Sequence, residues 1–187
     1  MARILILYSS TDGHTIKICE RLQKALAEQD HEVALHPVVG FDGAAMASFD
    51  TVVIGASIRY GKHNPHVVDF IACHRQVLES LPSAFFSVNI VARKPEKNRP
   101  ETNPYMKKFL RQIAWRPALL AVFAGKLDYP RYGTFDRFMI RLIMFMTKGP
   151  TDPSTVVEFT DWRQVKAFAV KVGELHRNHQ SATKICC

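Results

Sequence analysis

The chain has 187 residues, of which 47% are hydrophobic and 22% are charged. These proportions fit one compact domain with a buried core, and they exclude a disordered segment. Lys and Arg exceed Asp and Glu by 25 to 17, and the resulting net charge of +8 indicates an anionic partner. Four cysteines without a Cys-x-x-Cys pair exclude a disulfide scaffold and predict a reducing compartment.

We expect neither a signal peptide nor a membrane-spanning helix. The first apolar run, residues 4–7, is too short for a signal peptide. No uninterrupted apolar run reaches the roughly 18 residues that a spanning helix needs. The protein is therefore expected to be soluble or to lie on a membrane surface.

Short apolar segments alternate with helical patterns along the chain. The expected strands are residues 4–8, 32–38, 51–55, 84–91 and 119–124. Most of them are nearly continuous apolar runs, which are typical of strands buried on both faces of a parallel sheet; the second strand is the exception. This alternation predicts a doubly wound α/β fold.

Capping signals mark the starts of three helices. Asn64-Pro65 and Asn103-Pro104 each combine a capping side chain with a first-turn proline. The first of these helices is predicted to carry apolar residues as far as Leu78. Asp161 can cap a final helix.

Residues 128–155 do not fit the alternation and are predicted to form an inserted segment before a further short strand at 156–159. We expect residues 1–175 to form the domain and residues 176–187 to form a flexible tail. The terminal Cys186-Cys187 pair is a weak lipidation motif, so a frayed end with free thiols is the favoured interpretation.

A hydroxyl-rich loop connects the first strand to its helix. Its residues are Ser9, Ser10, Thr11, Asp12, Gly13, His14 and Thr15. Hydroxyl groups, a glycine and the free amides of a helix N-terminus suit a terminal phosphate monoester. The alternative is an ordinary helix cap.

This loop resembles the signature of flavodoxins, on Ile6-Leu7-Tyr8 followed by Ser10, Gly13, Thr15 and Leu22. The resemblance implies a flavodoxin-like five-stranded parallel sheet in the order 2-1-3-4-5, with FMN as the cofactor and its phosphate in the first loop. It also implies two further cofactor loops, formed by Ser57, Ile58, Arg59, Tyr60 and Gly61 and by Ser87, Val88, Asn89, Ile90, Val91, Ala92 and Arg93.

Two side chains of these loops suit a flavin ring. Tyr60 can stack on an isoalloxazine, and Asn89 can hydrogen-bond its polar edge. The alternatives are a turn aromatic at Tyr60 and a strand-end cap at Asn89.

Longer blocks resemble one family more closely, the quinone-dependent protoporphyrinogen IX dehydrogenases of bacterial heme synthesis. These blocks are residues 53–61, 87–97, 115–117, 129–132, 136–140 and 160–162, and the likeness covers about residues 3–175. The family implies a long insertion in the fifth strand and oxidation of protoporphyrinogen IX to protoporphyrin IX. It also implies menaquinone or ubiquinone as the acceptor and a flavin that carries the chemistry. An NAD(P)H:quinone reductase and a flavodoxin-type electron carrier stay open as alternatives.

Several cations lie on or near the predicted loops: Arg59, Arg93, Lys94, Lys97, Arg99 and Arg131. Our hypothesis is that Arg59 or Arg93 holds a substrate propionate, because the guanidinium fork can bind both carboxylate oxygens. Lys97 and Arg131 are further candidates, and the alternative is a solvated basic rim. We expect no metal site and no nucleic-acid binding. His63 and His66 are expected at the surface or a helix start, and the alternative is that they relay protons.

Residues 135–148 predict an amphipathic helix of about 21 Å, too short to span a bilayer. Arg137, Arg141 and Lys148 fall within about 40° on a helical wheel, and the opposite side carries Phe138, Met139, Leu142 and Phe145. This pattern favours an interfacial helix on an anionic membrane. Together with the family resemblance, it implies a peripheral protein at the cytoplasmic face of the bacterial inner membrane. An apolar side packed in the core is the alternative, and a homo-oligomer stays open.

Overall fold

The computed structural model describes residues 1–185, with side chains described as far as Arg177 and at His179. Its main sheet contains β1 (Arg3–Ser9), β2 (Glu32–Pro37), β3 (Thr51–Arg59), β4 (Lys62–His63), β5 (Ser83–Asn89) and β6 (Leu119–Ala124). The parallel strands run in the order β2-β1-β3-β5-β6, and β4 pairs only with β3 in an antiparallel hairpin. The short β4 lies outside this path, so β5 and β6 are the fourth and fifth strands of the expected sheet. The expected order 2-1-3-4-5 is therefore confirmed.

Helices cover both faces of the sheet. The helices of the chain are α1 (His14–Ala27), α2 (Pro65–Cys73), α3 (Arg75–Ser80), α4 (Pro104–Gln112), α5 (Thr134–Met146) and α6 (Trp162–Ile185), of which α5 packs in the inserted segment. Helices α1 and α6 pack on one face, where they meet Ile4 and Ile6 of β1. Helices α2, α3 and α4 pack on the other face, where they meet Leu5 and Leu7. The predicted doubly wound fold is confirmed.

The predicted helix caps are present. The side chains of Asn64, Asn103 and Asp161 each accept a backbone N–H from the first turn of α2, α4 and α6. The helix after Asn64 is nevertheless shorter than predicted, because His74 has φ −112° and ψ 21° and divides it into α2 and α3. The His74 ring packs on Phe70, with 4.6 Å between ring centroids.

The inserted segment forms a small unit of its own beyond the end of β6. Strands β7 (Lys126–Asp128) and β8 (Val156–Glu158) pair antiparallel, and α5 lies between them in the chain. Leu127, Tyr129, Tyr132 and Met144 form its buried core. The predicted strand at 156–159 is therefore present, but it pairs with β7 and not with the main sheet.

The segment expected to form a tail, residues 176–187, begins within helix α6. Helix α6 continues to Ile185, so residues 176–185 are helical. Cys186 and Cys187 lie outside the described residues. None of the helices in the described part of the chain combines the length and the apolar character that a membrane crossing requires.

Candidate functional site

The first loop leads from β1 into α1 through Gly13, which has φ 82°, a conformation that favours glycine. The first helical hydrogen bond joins the Lys17 N–H to the Gly13 carbonyl at 3.3 Å. The amides of His14, Thr15 and Ile16 therefore precede the hydrogen-bonded ladder, at the positive end of the helix. This end of α1 is suited to bind an anion.

Thr15 carries the clearest sign of a ligand in this loop. Its side chain is buried, and Oγ1 has no hydrogen-bond partner among the described residues. A buried hydroxyl without a partner costs about 1–3 kcal/mol, and a phosphate oxygen would accept its hydrogen bond. Ser10 Oγ lies nearby in the loop and accepts the Gly13 N–H at 3.0 Å. The loop therefore fits a terminal phosphate, as predicted from the sequence.

The second loop is bound to the first through Ser57. Its hydroxyl accepts the Thr11 N–H at 3.3 Å and donates to the Ser9 carbonyl at 3.4 Å. Tyr60 and Gly61, with φ 49° and 73°, then turn β3 into β4 in the backbone conformation that two-residue hairpins prefer. The Tyr60 side chain is 52% exposed, so its ring is available to stack on a planar ligand.

Arg59 joins the two loops and the inserted segment. Its guanidinium forms an ion pair with Asp12 at 2.9 Å and another with Asp136 of α5. The Tyr60 hydroxyl also donates to Asp136. The hypothesis from the sequence is that Arg59 binds a propionate of the substrate. In the structure its guanidinium group already binds two carboxylates of the protein, those of Asp12 and Asp136.

The third loop begins with residues that face the interior. Ser87, Val88 and Asn89 are buried, and so are Val91 and Ala92. Asn89 Oδ1 accepts the Ala92 N–H at 3.1 Å and the Asn103 side-chain N–H at 3.2 Å. The Asn89 side chain is thus the strand-end cap of the alternative interpretation, and its predicted contact with a flavin edge is not supported. The third loop therefore offers a ligand the backbone groups around the half-buried Ile90.

Arg93 is bound to the inserted segment. Its guanidinium donates to the carbonyl and the hydroxyl of Thr147, at 3.1 and 3.0 Å, and to the Ile90 carbonyl at 3.2 Å. Burial lowers its pKa from the ordinary value. Like Arg59, Arg93 is held by the protein where the sequence suggested a propionate ligand. The side chains of Lys97 and Arg131 have no ion pair or hydrogen bond with the described side chains, which reach Arg177 and include His179.

Helix α5 turns its apolar side outward. The exposed fractions are 70% for Phe135, 65% for Phe138, 45% for Leu142, 76% for Phe145 and 75% for Met146. Met139, which the sequence grouped with them, is half-buried. The alternative in which this side packs in the core is wrong, because Met144 is the buried residue of α5 and lies on the opposite side.

Of the basic residues on α5, Arg137 is half-buried and Arg141 is exposed. Arg137 donates to the carbonyls of Tyr129 and Tyr132, at 3.2 and 3.3 Å. Arg141 donates to the Thr151 carbonyl at 2.9 Å. The predicted basic stripe among lipid headgroups is therefore wrong for Arg137, which holds the helix on the insertion core.

Sequence comparison shows the family. The flavodoxin domain family matches residues 5–154. The quinone-dependent protoporphyrinogen IX dehydrogenase of Escherichia coli K12 is 47% identical over 173 residues, which cover 92% of this chain and 96% of the relative. The enzyme of that name from Leishmania major is 44% identical and covers 89% of this chain and 73% of its own. The chain belongs to this dehydrogenase family.

Solved structures of flavodoxins have the same fold as this chain. An archaeal flavodoxin has a TM-score of 0.53 at 12% identity, over 94% of this chain and 99% of its own. A WrbA-like flavodoxin from Agrobacterium tumefaciens has a TM-score of 0.53 at 13% identity, over 96% and 99%. The flavodoxin domain match, together with the first loop, indicates a flavin site.

The structure adds residues that sequence reasoning did not assign to the dehydrogenase site. Asp136 binds Arg59, and Thr147 binds Arg93. The Thr160 hydroxyl donates to the Ala124 carbonyl at 2.7 Å, so the His14 Nε2, 2.6 Å away, must donate to it. Two of these residues lie in blocks that carry the family resemblance, but their spacing does not show their partners.

His63 is also placed differently from the expectation. It is buried and is hydrogen-bonded to Ser87 Oγ at 3.0 Å, and burial lowers its pKa to about 3. His66 is exposed at the start of α2, as expected. In the part of the chain that the structure describes, no cluster of three His, Cys, Asp or Glu residues could hold a metal ion.

Proposed function

We propose that this protein oxidises protoporphyrinogen IX to protoporphyrin IX with FMN as its cofactor and menaquinone or ubiquinone as the electron acceptor. The observation that carries the proposal is the 47% identity over 92% of the chain to an enzyme named for this reaction. The phosphate-binding loop and the exposed Tyr60 ring support it, because a flavin needs both an anchor and an accessible ring face.

The residues of the first loop fit FMN. The Thr15 hydroxyl and the amides at the start of α1 would hold the phosphate, and the Tyr60 ring would lie on the isoalloxazine. When bound, FMN supplies the two-electron acceptor chemistry that the side chains lack. Because the phosphate is the anchored group, we expect FMN to bind much more tightly than riboflavin.

The chain's own residues hold this site together. Asp136 accepts hydrogen bonds from Arg59 and from the Tyr60 hydroxyl, and it thereby fixes the orientation of the Tyr60 ring. Ser57 keeps the second loop against the first. These contacts place the inserted segment beside the flavin loops, so an apolar surface lies next to the redox site.

The half-reaction with substrate tests the proposal. Protoporphyrinogen IX is added without oxygen to the FMN-loaded protein, and the flavin absorbance is followed. We expect the flavin absorbance to bleach and then to recover when a menaquinone analogue is added. Bleaching by NAD(P)H and not by the porphyrinogen would assign an NAD(P)H:quinone reductase, and bleaching by neither would favour an electron carrier.

We also propose that α5 lies on an anionic membrane, at the cytoplasmic face of the bacterial inner membrane. Three aromatic rings of one helix, Phe135, Phe138 and Phe145, are each at least 65% exposed, and such contiguous apolar patches mark interaction surfaces. The exposed Arg141 lines the same surface groove as Phe138 and Phe145. A net charge of +8 favours anionic headgroups.

Vesicle flotation tests this location. Phe138→Glu/Phe145→Glu should release the protein from anionic vesicles while the flavin stays bound. The control Val39→Glu/Val170→Glu adds the same charge at two other exposed apolar positions and should still float. Equal flotation of all three proteins contradicts the proposal. A wild-type dimer in lipid-free buffer that the α5 variant converts to a monomer would assign the patch to a homo-oligomer.

A further inference from the structure

A cleft of about 610 Å³ opens beside the second flavin loop, between the β3–β4 hairpin, the start of α2 and α4. Gly61 belongs both to that loop and to the wall of the cleft. The volume lies within the roughly 300–1,000 Å³ of small-molecule sites. The contacts that hold the flavin loops together do not involve this cleft.

The floor of the cleft is aromatic and uncharged. Phe109 is buried, and its ring centroid lies 4.4 Å from that of His63. His63 is neutral at physiological pH, because burial lowers its pKa to about 3. Tyr105 is half-buried, and a β-carbon on Gly61 would lie 3.5 Å from its ring. Such a floor suits a large apolar ligand whose ring faces can pack on aromatic side chains.

The rim of the cleft carries three exposed cations and one carboxylate. The cations are Lys62, Lys108 and Arg111, and the carboxylate is Asp69. Among the side chains that the structure describes, as far as Arg177 and at His179, none pairs or hydrogen-bonds with any of the three cations. Lys108 and Arg111 are three residues apart on α4 and therefore lie side by side on one face of the helix. They are free to bind carboxylates.

We propose that this cleft is the porphyrinogen site, with the macrocycle on the aromatic floor and its propionates on Lys108 and Arg111. The assignment rests on the proposed function. It accounts for the two acidic groups and the apolar body of the substrate together. It also replaces Arg59 and Arg93, whose guanidinium groups the protein itself occupies. The edge of the macrocycle nearest Gly61 then faces the turn that carries Tyr60.

Binding of protoporphyrin IX, the product with the same two carboxylates, tests this site. Its fluorescence is titrated with the FMN-loaded protein, and the KM for protoporphyrinogen is measured in parallel. Because each exposed charge pair contributes modestly, we expect Lys108→Ala/Arg111→Ala to weaken binding and raise KM by about tenfold. Protoporphyrin IX dimethyl ester, which lacks the charges, should bind wild type and variant equally weakly.

Two matched variants complete the test. Lys107→Ala/Lys166→Ala removes the same charge from exposed lysines outside the cleft and should bind as the wild type does. Lys108→Arg/Arg111→Lys keeps the charges and should retain most of the binding. Flavin content and the urea midpoint show that each variant is folded.

The outcomes separate the site from the function. If wild-type flavin is reduced by protoporphyrinogen while Lys108→Ala/Arg111→Ala leaves both constants unchanged, the cleft assignment is wrong and the function stands. If porphyrin binding depends on these cations while porphyrinogen never reduces the flavin, the function is wrong and the cleft is still a porphyrin site. If Lys108→Ala/Arg111→Ala and Lys107→Ala/Lys166→Ala lose the same amount of porphyrin affinity, the effect comes from the overall charge of the protein. That result would overturn the proposal.

Discussion

Helices α1 and α5 have similar lengths, 14 and 13 residues, and both have one apolar side. In α1 that side is buried on the sheet, with Ile18, Leu22 and Leu26 at most 1% exposed. In α5 the apolar side is exposed, with Phe138 at 65% and Phe145 at 76%. The opposite side of α5 is the one that packs: Asp136 accepts a hydrogen bond from Arg59, and Arg137 donates to the Tyr129 carbonyl. At the end of the helix, Thr147 accepts from Arg93. An apolar stripe on a helix therefore indicates a surface that packs against something apolar. It does not show whether that is the core of the same protein or another molecule.

Truncation of matched leucines is the strongest test of this contrast. Leu22→Ala should lower the free energy of unfolding by about 2–5 kcal/mol, because a cavity opens in the core. Leu142→Ala, at a side chain that is 45% exposed, should cost less than about 1 kcal/mol. Urea unfolding of the flavin-loaded proteins measures both. Equal losses would mean that α5 is packed as α1 is.

The same contrast between buried and exposed positions applies to two histidines. Below pH 6.5 the unfolded chain protonates His63, but the folded protein does not until about pH 3. Stability therefore falls as the pH falls through this range, and His63 should account for about 2–3 kcal/mol between pH 7.5 and 4.5. His63→Gln should remove that part of the slope, and the exposed His66→Gln should leave it unchanged. Urea unfolding at the two pH values measures it, and equal slopes for all three proteins would contradict the buried neutral histidine.

Thr15 extends the comparison to a polar group that is buried but lacks a partner in the described structure. Thr15→Val should weaken FMN binding by about tenfold or more, since a hydrogen bond to a charged phosphate contributes about 1.5–3 kcal/mol. The flavin-free protein should be as stable as before or more stable, because the partnerless hydroxyl is gone. Flavin fluorescence titration and urea unfolding measure the two effects. The control Thr102→Val changes an exposed threonine and should leave FMN binding unchanged; weaker folding with unchanged FMN affinity at Thr15 would contradict the phosphate assignment.

Local features of the fold were predictable from the sequence. Buried runs mark the strands, and the Asn-Pro pairs mark two helix starts, because each signal lies within a few neighbouring residues. The first loop could be predicted for the same reason, since its hydroxyls, glycine and helix start are contiguous. The strand order came only from the family resemblance.

Long-range partners were not predictable. Arg59 and Asp136 are 77 residues apart, and Arg93 and Thr147 are 54 apart, so no spacing rule joins them. Both arginines therefore looked free to bind substrate. The helical wheel of α5 separated its two sides correctly, but a wheel does not show which side meets the protein. His63 follows an exposed turn, and only the packing of α4 against the sheet buries it.

Anaerobic turnover on vesicles tests the central claim most directly. The FMN-loaded protein is mixed with protoporphyrinogen IX and anionic vesicles that either contain or lack menaquinone, and porphyrin fluorescence is followed. A continuous rise in fluorescence only with the quinone-containing vesicles is the predicted result. Flavin that stays oxidised in the presence of the porphyrinogen, with no porphyrin formed on either kind of vesicle, would contradict the account.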